Sequence, residues 1–327
     1  MEKQEKLDFS IIIPAYNEAK NLPRLFASIS HIDYPKEKLE IVVVDDASQD
    51  ETLKLKKKYE SIHFIQHKEN RGRFATRKTG ALTAKGKWIL FLDARTIPFP
   101  DILKNISKLP YDIILGHSLP QEKETIFEIL FRAIREKFFS RFYREKEGII
   151  LLTTENFDSY PKGTTLLCVR KEVFIKAYTV LDEKDFGKDS SDDTKVLRFL
   201  VGLGNMAICP TVRVISYGRN NFFQSALHLF LRGAKFFDYY GTREKKNFWL
   251  VLIIPVILGT MLITFLWAFP KIGLLLFGAT WILLSFWLSG MQKRFLPIFL
   301  MLPIVTTLFY LGIIRGILLK IFATERK

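Results

Sequence analysis

The chain has 327 residues, 48% of them hydrophobic and 25% charged, with a formal net charge of +15. That length accommodates one large domain or two smaller ones, and the mix excludes both a disordered chain and a simple membrane channel. Nearly all the charge lies before about residue 247, so the positive excess points to an anionic membrane surface or a phosphorylated substrate; nucleic acid is set aside, because no basic stripe belongs to a recognisable binding module.

Residues 9–14 (FSIIIP) are a short β-branched run ended by proline, which predicts a buried strand. From Asn17 to about Ser30, Leu22, Leu25, Phe26 and Ile29 recur at helical spacing. Residues 40–44 (EIVVV) predict a second buried strand, followed at once by Asp45 and Asp46. A helix is expected from Ser48 to about Tyr59 behind a polar Ser-Gln-Asp-Glu start. A third strand is expected over 62–66, a helix over 73–84, and a fourth strand over 87–92 (KWILFL), ending at Asp93. Strands alternating with helices predict an α/β fold on a mostly parallel sheet. Ligands of such sheets bind beyond the carboxyl ends of the strands, where Asp45, Asp46 and Asp93 all fall.

The middle of the chain is less regular. Residues 126–142 predict a basic amphipathic helix, either a surface element or one lying on a membrane. Strands are expected over 163–169 (GTTLLCV) and 206–214. Phe222–Tyr240 is amphipathic and aromatic, with His228, Arg232 and Lys235 among apolar residues, and reads as an interfacial helix. Apolar stretches follow at about 248–268, 271–290 and 295–319, each near the ~20 residues that span a bilayer; Arg315 and Lys320 leave two or three spans open. Trp249, Trp267 and Trp287 lie near span ends, as aromatic belts require. If the spans alternate, Arg243, Lys245, Lys246, Lys293 and Arg294 fall on one side, which places the N-terminal domain in the cytoplasm. Arg326 and Lys327 would then lie opposite, unless the third segment re-enters. The N-terminal residues hold no apolar run long enough for a signal peptide, in keeping with a cytosolic first domain. Cys168 and Cys209 fit no metal spacing and read as core thiols of a reducing compartment. His31, His63, His67, His117 and His228 form no ligand cluster.

Five segments stand in one order at telling spacings: Ile12-Ile13-Pro14-Ala15-Tyr16-Asn17-Glu18; Val43-Val44-Asp45-Asp46-Ala47-Ser48-Gln49-Asp50; Asn70-Arg71-Gly72 with Ala75 and Arg77; Gly80, Ala84 and Gly86; and Phe91-Leu92-Asp93-Ala94. Together they closely resemble glycosyltransferase family 2, inverting enzymes with a GT-A-type, Rossmann-like fold, over about residues 8–100 and more thinly over about 160–215. The resemblance implies a nucleotide-sugar donor, a UDP- or GDP-sugar. Carboxylates at strand ends can meet the hydrogen-bonding edges of its base and ribose; Glu18, Asp45 and Asp46 are the candidates, and the family's nucleoside-contacting pair maps onto Asp45 and Asp46. One of that pair could instead cap the following helix. Ala15 and Tyr16 map onto the pocket wall. Gly72, Arg73 and Arg77 open a helix, and a helix N-terminus with nearby guanidiniums suits a diphosphate; a solvated basic face is the alternative.

The family's Asp-x-Asp motif, whose carboxylates hold a divalent cation, stands here as Asp93-Ala94-Arg95. Three outcomes are open. Asp93 holds manganese or magnesium with help from water and donor oxygens; Arg95 replaces the cation; or the enzyme is impaired. Inverting transfer also needs a base on the acceptor side. After a lead-in at Val169-Arg170-Lys171-Glu172-Val173-Phe174, the resemblance assigns that role to Asp193, with Asp192 in place of a glutamate; a helix N-cap is the competing reading. Arg232-Gly233-Ala234-Lys235-Phe236 is a degenerate echo of the Gln-x-x-Arg-Trp motif of processive members, so Arg232 and Lys235 serve either the acceptor or, more simply, anchoring. The expected organisation is a catalytic domain over 1–220, an amphipathic linker over 221–247 and a membrane region over 248–327. The expected reaction moves a sugar to a hydroxyl of a lipid or lipid-linked glycan at the cytoplasmic membrane face. The rivals are a polyprenyl-phosphate sugar transferase and a non-catalytic nucleotide-sugar-binding membrane protein. Oligomeric state is not legible.

Overall fold

The computed structural model describes residues 7–140, 142, 148–183, 186, 190–218, 221–241, 267–290 and 294–324. The chain divides into two compact units: Met1–Glu122, Arg141–Lys188 and Asp192–Gly218 form one, and Lys123–Ser140, Asp189–Ser191 and Arg219–Lys327 the other.

The first unit is built on a nine-stranded sheet among the described residues. Its N-terminal half is the predicted parallel alternation: β1 (Phe9–Ala15), α1 (Leu22–Ser30), β2 (Leu39–Asp45), β3 (His63–Gln66), α2 (Gly72–Thr83) and β4 (Trp88–Leu92). β1 lies between β2 and β4, and β3 lies outside β2. Pro14 sits in β1 without harm because β1 pairs with β4 only from Phe9 to Ile12, so the missing N–H falls where the strand has lost one neighbour. α1 buries Leu22, Leu25, Phe26 and Ile29, the predicted stripe. It starts at Leu22 rather than Asn17, because Asn17 holds φ +57°, outside the helical region. The segment expected as a helix after Ser48 is a 3-10 helix over Glu51–Lys57, capped by the Asp50 side chain on the Thr52 N–H. α2 lies close on the sheet: a Cβ at Gly80 would run into the Ile12 and Val44 side chains.

Beyond β4 the sheet turns mixed. β5 (Thr96–Pro98), α3 (Ile102–Ser107) and β6 (Ile113–Pro120) come next in the chain, then, after α4 (Ile126–Phe138) of the second unit, β7 (Ile150–Leu152), β8 (Leu166–Arg170), α5 (Lys171–Val180), α6 (Asp192–Leu200) and β9 (Met206–Ser216). β8 inserts antiparallel between β4 and β6; β6 and β9 run parallel, and β5 and β7 pair antiparallel with β9. The insertion of β8 sets its start against the end of β4, with Leu92 opposite Leu166. The Cys168 and Cys209 thiols are buried in this half, and burial pushes that of Cys209 up to about 12, so it is a core group and no nucleophile.

The second unit is helical: α4, α7 (Phe222–Tyr240), α8 (Pro270–Ser289) and α9 (Phe295–Thr324). α4 carries a capping box between Thr125 and Glu128, and its apolar side (Phe127, Leu130, Ala133) joins Leu229, Leu288, Ile298 and Leu302 in one core, which is why residues 123–140 belong to this unit. α7 and α9 approach closely through small residues: a Cβ on Gly312 would strike the Phe230 carbonyl, and one on Gly233 the Phe309 carbonyl. Pro303 lies inside α9 and has no N–H, so the Phe299 carbonyl four residues earlier lacks its helical donor. The Trp281 indole N–H of α8 donates to that carbonyl at 3.1 Å. The most apolar 18-residue windows of α8 and of the stretch Phe295–Phe322 have mean hydropathies of 1.9 and 2.1, and 22% and 33% of them is buried, so both are candidate membrane spans. The first apolar stretch, about 248–268, falls almost wholly outside the described residues.

Candidate active site

The ends of β1, β2 and β3 meet in register: Ala15 stands opposite Asp45 and Asp45 opposite Gln66. The loops that follow are laced together. The Asn17 N–H donates to Ser48 Oγ and its side chain accepts from the Gln49 N–H, both at 2.8 Å; Glu18 N–H donates to Thr52 Oγ1, and Asp50 accepts from the Ala19 N–H. Asn17 and Ala47 both take positive φ to make these turns. Tyr16, next to Asn17, is 44% exposed and gives this edge an open aromatic side chain.

Asp45 and Asp46 are adjacent, both buried, and differently engaged. The Asp45 carboxylate accepts from the Ser48 N–H at 3.3 and 3.4 Å, long contacts to a loop. Asp46 is a hub. Its Oδ1 accepts from the Arg71 N–H at 2.9 Å and from His67 Nδ1 at 2.8 Å, and its Oδ2 from the Gly72 N–H at 2.8 Å. These contacts fix the turn that starts α2, where Gly72 has φ +85°.

α2 then presents Arg73 and Arg77 one turn apart on one side, and both meet the acidic start of α6. Arg73 reaches Asp192 at 2.6 Å and Asp193 at 3.4 Å; Arg77 reaches Asp193 at 2.7 Å and Asp192 at 3.3 Å. Thr164 donates its hydroxyl to Asp193 Oδ1 at 2.7 Å. The side chains grade from inside to outside: Arg77 is 4% exposed, Asp192 7%, Asp193 25% and Arg73 46%. Asp193 above all holds the Arg73 guanidinium above its ordinary range. Burial works against the charge on Arg77, yet Asp193 and Asp192 outweigh it and its affinity for the proton rises. Arg77 Nε has no hydrogen-bond partner among the described residues. The neighbouring Tyr178 phenol, buried and stacked on Phe74 and Phe174, is pushed up by desolvation and stays neutral.

Asp93 joins this group through the start of β8: its N–H donates to the Thr165 carbonyl at 3.3 Å, next to the Thr164 that holds Asp193, and its charge acts on both Arg73 and Arg77. Arg95 turns to the β1 loop, 3.3 Å from Glu18, whose other oxygen accepts from Asn21 at 2.6 Å. Among the described residues no three His, Cys, Asp or Glu side chains come together as a metal site. In the second unit, the exposed Arg232 lies over the Phe131 ring at 5.2 Å, and Lys235 is half-buried on the same helix.

Sequence reasoning missed three contributors. His67 stands one residue past β3 as Asp45 and Asp46 stand at the end of β2, and that position was the signal. Thr79 and Thr164 carry none: Thr79 matters only through His67, 2.9 Å from its hydroxyl, and Thr164 only through Asp193.

A parallel β-α-β half ending in carboxylates, continued by a mixed half that carries a second acidic pair, defines a GT-A-type fold. Residues 10–162 match the family model of glycosyl transferase family 2, so the chain carries a domain of that family. Glycosyltransferase AglE of Haloferax volcanii is 33% identical over 116 residues, 33% of this chain and 38% of that protein. The dolichyl-phosphate beta-glucosyltransferase of Drosophila melanogaster is 33% identical over 114 residues, 31% of this chain and 35% of that one; the match thus spans little more than a third of either relative. The solved mannosyltransferase PcManGT of Pyrobaculum calidifontis, in complex with GDP-Man and Mn2+, shares the fold with a TM-score of 0.65 at 17% identity, over 94% of this chain and 86% of that one.

Proposed function

We propose that the protein is an inverting glycosyltransferase that moves a sugar from a UDP- or GDP-sugar to a hydroxyl of a lipid or lipid-linked glycan at the cytoplasmic face of a membrane. The observation that carries this reading is the graded cluster Arg77, Asp192, Asp193, Arg73 beside Asp93, in which an acceptor-side carboxylate and a donor-side guanidinium are the two most exposed members. Tyr16 and Ala15 form the wall for the base. Asp45, held only by long contacts to Ser48, can be redirected to the nucleoside. Asp46, expected to do the same, is held in place by three N–H groups at 2.8–2.9 Å, so its part in this reading is to shape the Gly72 turn. Arg73 meets the diphosphate. Arg77, expected to do the same, is enclosed by the two aspartates and keeps them in place. As the acceptor oxygen attacks the anomeric carbon, its proton passes to Asp193, the bond from that carbon to the diphosphate oxygen breaks, and the nucleoside diphosphate leaves as an anion beside Arg73 and Arg95.

A resident divalent cation would need several oxygen ligands. At the end of β4 the carboxylate offered is that of Asp93, with Arg95 in the second carboxylate's place, and the nearby Asp192 and Asp193 are taken up by Arg73 and Arg77; this donor set does not fit and no step is routed through a metal. The candidate spans and relatives such as the dolichyl-phosphate glucosyltransferase support a lipid-borne acceptor. α7, with Arg232 and Lys235, serves as the interfacial anchor in this reading.

One observation favours a second acceptor. A carboxylate shared by two guanidiniums is a weak base, and a polyprenyl phosphate, already an anion, needs little base help. Turnover of the detergent-purified full chain with UDP- and GDP-sugars, read as nucleoside diphosphate released on addition of lipid extract, tests the function. Asp193→Asn decides the acceptor: a collapse in turnover supports a hydroxyl, and unchanged turnover supports a phosphate. Activity with neither supports a nucleotide-sugar-binding protein without transfer.

A further inference from the structure

We infer that His67 is a positioning residue for the diphosphate end of the donor site, acting through Asp46. The histidine is buried at 7% exposure between two groups. Its Nδ1 lies 2.8 Å from Asp46 Oδ1, and its Nε2 lies 2.9 Å from Thr79 Oγ1 on α2. An ionised carboxylate only accepts, so Nδ1 carries the proton toward Asp46, and Nε2 faces the Thr79 hydroxyl. The His67 backbone N–H donates to the Asp45 carbonyl at 2.9 Å, so the ring is placed by the end of β2 itself. The relay returns to α2 at its other end, where Asp46 accepts from the Arg71 and Gly72 N–H groups at 2.9 and 2.8 Å. The Asn70 side chain adds a donation to the Asp46 carbonyl at 3.3 Å.

This arrangement ties the helix to the strand ends at its first residue and again two turns later. It also solves a problem of charge. Asp46 is 4% exposed, and a carboxylate taken out of water is tolerable only when hydrogen-bond donors surround it. Two of its donors are the turn it must shape; His67 is the third, and the one that does not move with that turn. Without the imidazole, Asp46 would be drawn toward solvent or would re-aim, and the Arg71–Gly72 turn with its φ of +85° at Gly72 would lose its template. Arg73 follows that turn directly. That its exposed guanidinium meets a diphosphate rests on the proposed function; the tie between His67 and the turn does not.

The experiment uses full-length protein in detergent with His67→Leu, which fills the space without a donor, and His67→Asn, whose side-chain amide can donate where Nδ1 does. Two quantities are read: amide hydrogen exchange over residues 70–73, and affinity for UDP and GDP as probes. The expected result is exchange at least tenfold faster over this segment in His67→Leu, with nucleotide affinity down about tenfold, and His67→Asn within about threefold of the wild type on both. Wild-type exchange in His67→Leu would overturn the inference, as would His67→Asn behaving like His67→Leu. If His67→Leu does not fold, Thr79→Val removes the other end of the relay; it should raise exchange at 70–73 more than elsewhere in α2, and a uniform or absent change would overturn the assignment. If the wild type binds neither nucleotide, the donor reading fails, while the exchange result still decides the role of His67.

Discussion

The two units of this chain place polarity in opposite ways. The sheet unit buries charge: Asp45, Asp46, His67, Arg77 and Asp192 are all inside. The helical unit exposes apolar surface: Leu274, Leu275, Leu283 and Leu296 are each more than 60% open. Each departure has a physical counterpart. Buried charges persist in the first because they are paired or ringed with N–H groups. Open leucines in the second belong to helices that are candidate membrane spans, and such exposure is tolerated where the neighbour is lipid rather than water. Buried charge is costly, so its concentration in the sheet unit marks where the candidate site lies.

The sharpest way to break this contrast is at Asp193. Asp193→Asn should lower turnover by about 10²–10⁴-fold while leaving nucleotide affinity within about threefold of the wild type, measured by steady-state kinetics and calorimetry. Next comes the buried partner: Arg77→Met takes the enclosed guanidinium from Asp192 and Asp193, leaving them only the half-exposed Arg73, and should destabilise the sheet unit by about 3 kcal/mol, seen as an earlier chemical unfolding midpoint. Asp46→Asn turns a ring of acceptors into a half-donor facing N–H groups and should cost about 1–3 kcal/mol; unchanged stability would contradict the hub. The smallest effect belongs to the helical unit. Trp281→Phe leaves the Phe299 carbonyl opposite Pro303 without its donor and should cost about 0.5–1.5 kcal/mol, measured by detergent-titrated unfolding.

Much of the first half was legible because its signals are local. The FSIIIP and EIVVV runs and the stripe Leu22, Leu25, Phe26, Ile29 state their periods within a few residues, and all became the elements they imply. The exceptions were decided by backbone or tertiary context. Asn17 at φ +57° delays α1; the three-residue strands β5 and β7 are too short to show alternation; β6 fades from apolar to polar along its length and signals neither a strand nor a helix. Within the site, the motifs brought out Asp45, Asp93, Arg73 and Asp193 individually. Their grouping was not readable, because Arg77 and Asp193 are 116 positions apart and nothing local says that they meet. Arg77 therefore reads from the sequence as a diphosphate ligand, and the histidine pattern, which holds no metal spacing, says nothing of the carboxylate that His67 meets at the neighbouring strand end.

The most direct test is donor binding by the intact chain. Titration of the detergent-purified protein with UDP- and GDP-sugars in the presence of a chelator should show saturable binding of one class. The matching nucleoside diphosphate should compete for the site, and Arg73→Gln should weaken it about tenfold. Absence of binding to any nucleotide sugar, with and without added manganese or magnesium, would contradict the account.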